Sequence, residues 1–136
     1  MELPYMDHIG IIVENLEKSI ALFESLFGLK SARIKEMDEV GLRIATLKAK
    51  NIDIELIQYI NAKNNFGEKV MGKAIGVNHL SIKTDDVEAS VKDFKKKGIT
   101  VMEGFPRSGS HGEVAFFKQK TTQNILLEIC EETKTR

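Results

Sequence analysis

Apolar and polar residues alternate in short runs along most of this chain, and two of those runs contain a histidine: Asp7-His8-Ile9-Gly10-Ile11 and Asn78-His79-Leu80-Ser81-Ile82. Alternation of that kind is the period of a strand with one buried face, so both stretches predict β-strands. After the first, Leu16, Ile20, Phe23, Leu26 and Phe27 recur at helical intervals of three and four, with Asn15 placed as N-cap and Gly28 as the stop. Further strands are predicted at about 30–35, 42–48 and 52–59, the last two joined as a hairpin through Lys50-Asn51. Residues 61–76, with Asn61, Asn64, Asn65, Gly67 and Gly72, break the pattern and read as a linker with a short helix near 68–73. The pattern then returns. A strand at 77–83 leads to a helix capped by Asp85-Asp86 and closed by Gly98, then to a strand at 100–102 and a glycine-rich loop at 104–112. A hairpin of 113–118 and 124–130 and a charged tail from Glu131 to Arg136 complete the chain.

The two halves also match residue by residue. Leu16 to Phe23 faces Val87 to Phe94, Gly28-Leu29 faces Gly98-Ile99, and Ile54-Glu55-Leu56-Ile57 faces Leu127-Glu128-Ile129. Each half is thus a βαβββ module with one histidine on its first strand and one glutamate on its last. His8, Glu55, His79 and Glu128 occupy equivalent places, and a pseudo-twofold packing of the halves would gather them. Two imidazoles and two carboxylates suit one divalent ion of intermediate hardness, Co²⁺, Zn²⁺, Ni²⁺, Mn²⁺ or Fe²⁺, with positions left for water or substrate. Other readings stay open at this point. A lone strand histidine is more often a surface or satisfied residue than a ligand, and Glu55 and Glu128 on the outward face of half-buried strands would need no metal. Buried among Ile54, Leu56, Leu127 and Ile129, in contrast, each carboxylate requires a compensating partner.

Composition narrows the picture. At 136 residues and 42 % hydrophobic content the chain is one ordinary domain with enough apolar surface for a core. Twenty basic and twenty acidic side chains cancel, so there is no electrostatic footprint for nucleic acid or for an anionic membrane. No apolar run of about eighteen residues is present, and Met1 to Tyr5 lacks the layout of a signal peptide, which points to a cytoplasmic protein. Cys130, the single cysteine, lies in an apolar strand and reads as packing.

Taken together, Met6-Asp7-His8-Ile9-Gly10-Ile11, Leu26-Phe27-Gly28-Leu29, Ile54-Glu55-Leu56-Ile57, Val77-Asn78-His79-Leu80-Ser81, Asp85-Asp86-Val87, Lys97-Gly98-Ile99, Pro106-Arg107-Ser108-Gly109 and Leu126-Leu127-Glu128-Ile129 resemble the vicinal oxygen chelate superfamily. Within it the chain is similar over nearly its whole length to the methylmalonyl-CoA epimerases, and more distantly to glyoxalase I (lactoylglutathione lyase). The resemblance implies an α+β fold: two tandem βαβββ modules forming an eight-stranded open barrel-like sheet around a metal cleft. It implies a single domain over 1–136, with module one at 5–60, the linker at 61–76 and module two at 77–131. It further implies that His8, Glu55, His79 and Glu128 ligate one divalent metal ion, that a proton moves at the carbon beside a thioester carbonyl through an enolate, and that the protein is a homodimer. Glu128 is expected to be the base.

Two departures from the family pattern bear on that expectation. Some epimerases carry an acidic residue on the middle strand of the first module, where Gly41-Leu42-Arg43-Ile44-Ala45 places Ile44. Glu55 is therefore expected to act as the second acid–base group. The loop Pro106 to Gly112 is shorter by about one residue, with His111 where glycine is usual. Its Arg107, Ser108, Gly109 and His111, with Lys120 beyond it, are the expected substrate contacts. The alternatives are a glyoxalase I acting on a thiol hemithioacetal and a metal-free binding protein of the same fold.

Overall fold

The computed structural model describes residues 2–60, 63–110 and 112–131, with the backbone alone for Ala32. The order of elements is β1 (Met6–Ile12), α1 (Leu16–Phe27), β2 (Ser31–Met37), β3 (Leu42–Lys48), β4 (Asp53–Tyr59), α2 (Phe66–Met71), β5 (Gly76–Lys83), α3 (Val87–Lys96), β6 (Arg107–Ser108), β7 (Glu113–Phe116) and β8 (Leu127–Cys130). The chain divides into two compact units, His8–Asn78 and His79 onward, the latter including the residues up to Asp7.

In the first unit the strands follow the order β2-β3-β4-β1, with β1 parallel to β4 and the other pairs antiparallel. The second unit follows β6-β7-β8-β5, with β5 parallel to β8. The duplication seen along the chain is therefore also a duplication of topology.

The strands of each unit present an apolar face that receives a helix. Asn15 caps α1 by accepting from the Lys18 N–H at 2.9 Å, and Gly28 ends it with a left-handed φ of 69°. Leu16, Ile20 and Phe23 pack on Ala45, Leu47 and Leu56. Asp86 caps α3 in the same way, and Val87, Val91 and Phe94 pack on Ala115, Phe117 and Ile129. One more detail repeats: the Gln58 side chain accepts from the Leu16 N–H at 2.7 Å, and Glu131 accepts from the Val87 N–H at 2.7 Å. In both units a polar side chain just beyond the site's glutamate ties down a helix start, satisfying a donor that the helix itself leaves over.

The opposite face of the first unit is closed by part of the linker. There Ile12, Met37, Val40, Leu42, Ile44 and Ile57 form a buried cluster, and α2 brings Phe66 and Met71 against it. Three hydrogen bonds hold the strap: Gly67 N–H to Val40 O (2.9 Å), Asn78 Nδ2 to Met71 O (2.8 Å), and the Tyr59 hydroxyl to Gly72 O. Burial, with the charge of Glu68 as the lesser cause, pushes the Tyr59 phenol up to about 12, so it remains a donor at neutral pH. Gly41 is the tight point. Its φ is 77°, and a Cβ there would run into the Asn64 carbonyl. Gly41→Ala is accordingly expected to cost roughly 1–3 kcal/mol, read as a lower urea midpoint at unchanged slope.

Three expectations are corrected. The strand expected at 100–102 is reduced to a single bridge, Val101 to Phe117, and the edge strand lies instead inside the expected loop as β6. Gly104 at φ 90° and Pro106, which has no N–H to donate, interrupt the segment before it can form a longer ladder. The last strand begins at Leu127 rather than 124, because Gln123 and Asn124 take positive φ of 56° and 66°. The linker helix starts at Phe66, whose N–H is received by the Asn64 side chain at 2.8 Å. Among the described residues no helix is long and apolar enough to cross a membrane.

Candidate metal centre

Register determines which side chains share a face. In the first unit Gly10 lies beside Glu55, and His8, two residues earlier on β1, points to the same side as Gly10. The result is a His8 Nε2 to Glu55 Oε1 separation of 3.4 Å, with the two residues 4 % and 3 % exposed. In the second unit Ser81 lies beside Glu128, and His79 is again two residues earlier. Here Nε2 to Oε1 is 3.8 Å, and the residues are 5 % and 6 % exposed. The same residue pair is thus built twice by the same local rule.

The surroundings of the pairs differ. Across β3 the neighbour of Glu55 is buried Thr46, whereas across β7 the neighbour of Glu128 is Phe116. The Phe116 ring meets His79 edge-on at 5.0 Å between centroids and 79° between planes, which shields that imidazole. A buried carboxylate costs several kcal/mol unless it is compensated. A divalent cation bound between such donors would compensate it. The donors are imidazole nitrogens and carboxylate oxygens, a set that fits a divalent ion of intermediate hardness. Cys130 shares the Glu128 face, its Sγ 3.4 Å from Ser81 Oγ, and burial raises its thiol well above the ordinary range.

The expected substrate residues are spread more widely. Arg107 and Ser108 form β6, paired with Val114 and Glu113. Gly109 donates to Gly112 O at 2.7 Å and lies so close under Val114 that a side chain would not fit. Lys120 sits on a separate exposed turn, Gln119–Thr121, and His111 lies outside the described residues. Ile44 is 6 % exposed and faces Ile57, one register step from the Thr46–Glu55 pair, so no acid stands at that place. Sequence reasoning passed over Asp7, Thr46 and Ser81, all buried. For Ser81 a signal was available: it is two residues from His79 on one strand, hence on the same face.

This fold and these paired donors place the chain in a known class. It belongs to the Glyoxalase/Bleomycin resistance protein/Dioxygenase superfamily, whose sequence profile matches residues 7–117. Among curated proteins it is similar to the mitochondrial methylmalonyl-CoA epimerase of Homo sapiens, with 28 % identity over 126 residues, covering 91 % of this chain and 72 % of the human protein. The epimerase of Dictyostelium discoideum is 26 % identical, covering 93 % and 78 %. Among solved structures, a methylmalonyl-CoA epimerase in complex with methylmalonyl-CoA and NH4+ superposes with a TM-score of 0.85 at 26 % identity, covering 98 % of this chain and 97 % of the other. A variant of the Streptomyces coelicolor enzyme in complex with 2-nitronate-propionyl-CoA gives the same TM-score, identity and coverage. The α+β fold expected from the motifs is therefore the fold observed, and the similarity supports an epimerase-like activity.

Proposed function

We propose that this chain is a metal-dependent isomerase that epimerises a 2-methylmalonyl-type thioester by moving the proton at C2. The observation that carries the reading is the His–Glu pair, buried and repeated in the same register in both units. His8, Glu55, His79 and Glu128 would hold one divalent ion. When bound, the ion would act as a Lewis acid on substrate oxygens and so stabilise the negative charge that develops when C2 is deprotonated.

The side chains supply the remaining steps. Glu128 accepts the C2 proton on one of its carboxylate oxygens as the C–H bond breaks, leaving an enolate. A proton carried on the Glu55 oxygen not offered to the ion is delivered to the opposite face of C2, the inverted thioester departs, and exchange with solvent returns both glutamates to their starting protonation states. Phe116 and the buried strand faces keep water away, which strengthens each electrostatic interaction. Arg107, Ser108, Gly109 and Lys120 meet the thioester and the polar portion of the substrate.

A second reading, isomerisation of a thiol hemithioacetal to a 2-hydroxyacyl thioester, is favoured by one feature. Ile44 puts an apolar side chain where a third carboxylate would stand, leaving the two histidine-paired glutamates as the acid–base groups. Metal-stripped protein should be reloaded with Co²⁺ or Zn²⁺, its metal content measured, and the two reactions compared side by side in D₂O. One ion per chain and deuterium at C2 of methylmalonyl-CoA are expected. Turnover of the hemithioacetal alone would select the second reading, and full activity without metal would overturn both.

A further inference from the structure

The two copies of the site differ one register step beyond the His–Glu pair. In the first unit the positions are Ile12, Ile44 and Ile57, sealed in the cluster under α2. Their equivalents in the second unit are Lys83, Val114 and Cys130. Lys83 follows His79 and Ser81 on the same face of β5, and its side chain is 25 % exposed. Its ammonium lies 3.9 Å from Asp7 Oδ1, a carboxylate only 9 % exposed. The fold accommodates an isoleucine at this position in the other copy, so the scaffold itself does not require a lysine. A cation set in a half-buried strand face must also give up part of its hydration.

We propose that Lys83 is a specificity-determining residue that binds the free carboxylate of the substrate, with Asp7 as its positioning partner. This inference rests on the isomerase reading above and names the chemistry of the substrate group on the second unit's side: an anion, one carbon away from the reacting centre. Asp7 restrains the ammonium at ion-pair distance. Partly buried charge is screened less than the exposed Lys118 and Lys120, so discrimination falls to Lys83. On the first unit's side the matching surface is aliphatic and offers an anion nothing.

The test compares two thioesters with the same mobile proton, methylmalonyl-CoA and its neutral methyl half-ester, by deuterium incorporation at C2. Lys83→Met is expected to raise KM for the charged thioester by about 10- to 100-fold while leaving KM for the ester unchanged. Lys83→Arg should recover most of the loss, and Asp7→Asn should change the charged substrate's KM more than its kcat. Equal effects of Lys83→Met and Lys83→Gln on both thioesters, or no effect on either, would overturn the role of Lys83 while leaving the isomerase reading intact. Unmodified, metal-loaded protein that exchanges neither thioester overturns the isomerase reading, and this inference with it.

Discussion

Glu128→Gln is expected to lower C2 proton exchange of the epimer whose proton Glu128 takes by about 10²- to 10⁴-fold, the range over which a positioned general base contributes. The amide has the size of the carboxylate and keeps one oxygen donor, so the buried space between Ser81 and Phe116 stays filled. What it loses is the ability to accept a proton. Buried Phe116 beside it also means that water does not readily replace the missing base. Single-turnover deuterium incorporation, measured with metal content and thermal unfolding on the same sample, checks this. A variant that folds, holds its ion and keeps more than a tenth of the exchange rate would remove Glu128 as the base. His79→Ala differs in kind, since it should lose the ion first.

The parts of this arrangement that follow from local physics were legible along the chain. α1 is announced by Asn15, the three-and-four spacing from Leu16 and the stop at Gly28, all of which act within a few residues. β3 falls where the alternation from Leu42 to Lys48 puts it. The equivalence of His8 with His79 and of Glu55 with Glu128 was legible because the duplication repeats both residues, whereas the register that sets each histidine beside the glutamate of its own unit was not. Long-range pairing was not legible. Nothing local tells Arg107-Ser108 to pair with Glu113-Val114, and the segment before it is decided by Gly104 and Pro106 rather than by its apolar content. Nor does alternation say which polar strand residue turns inward. Thr46, Ser81 and Asp7 became visible as buried only once register and neighbours were fixed. The strap made by α2 depends on hydrogen bonds to Val40 and from Tyr59 and Asn78, contacts that no periodicity encodes.

Glu55→Gln is expected to separate two events that the wild-type protein couples. With Glu128 intact, the proton on one face of C2 can still be removed and returned, so deuterium should enter one epimer with retention of configuration. Delivery to the opposite face requires a second acid, and Ile44, Ile57 and Ile12 on that strand face have no proton to give. Epimerisation should therefore fall by about 10²-fold or more while exchange into the one epimer persists within about tenfold. The contrast between the two rates is what makes the experiment decisive, because loss of the ion or of the fold would depress both together. Chiral chromatography of the acyl group after incubation in D₂O, with mass analysis of each epimer, reads the two rates from one sample. If Glu55→Gln epimerises at the wild-type rate with its ion bound, the proton returns by another route, and the two glutamates do not share the work that their equivalent positions suggest.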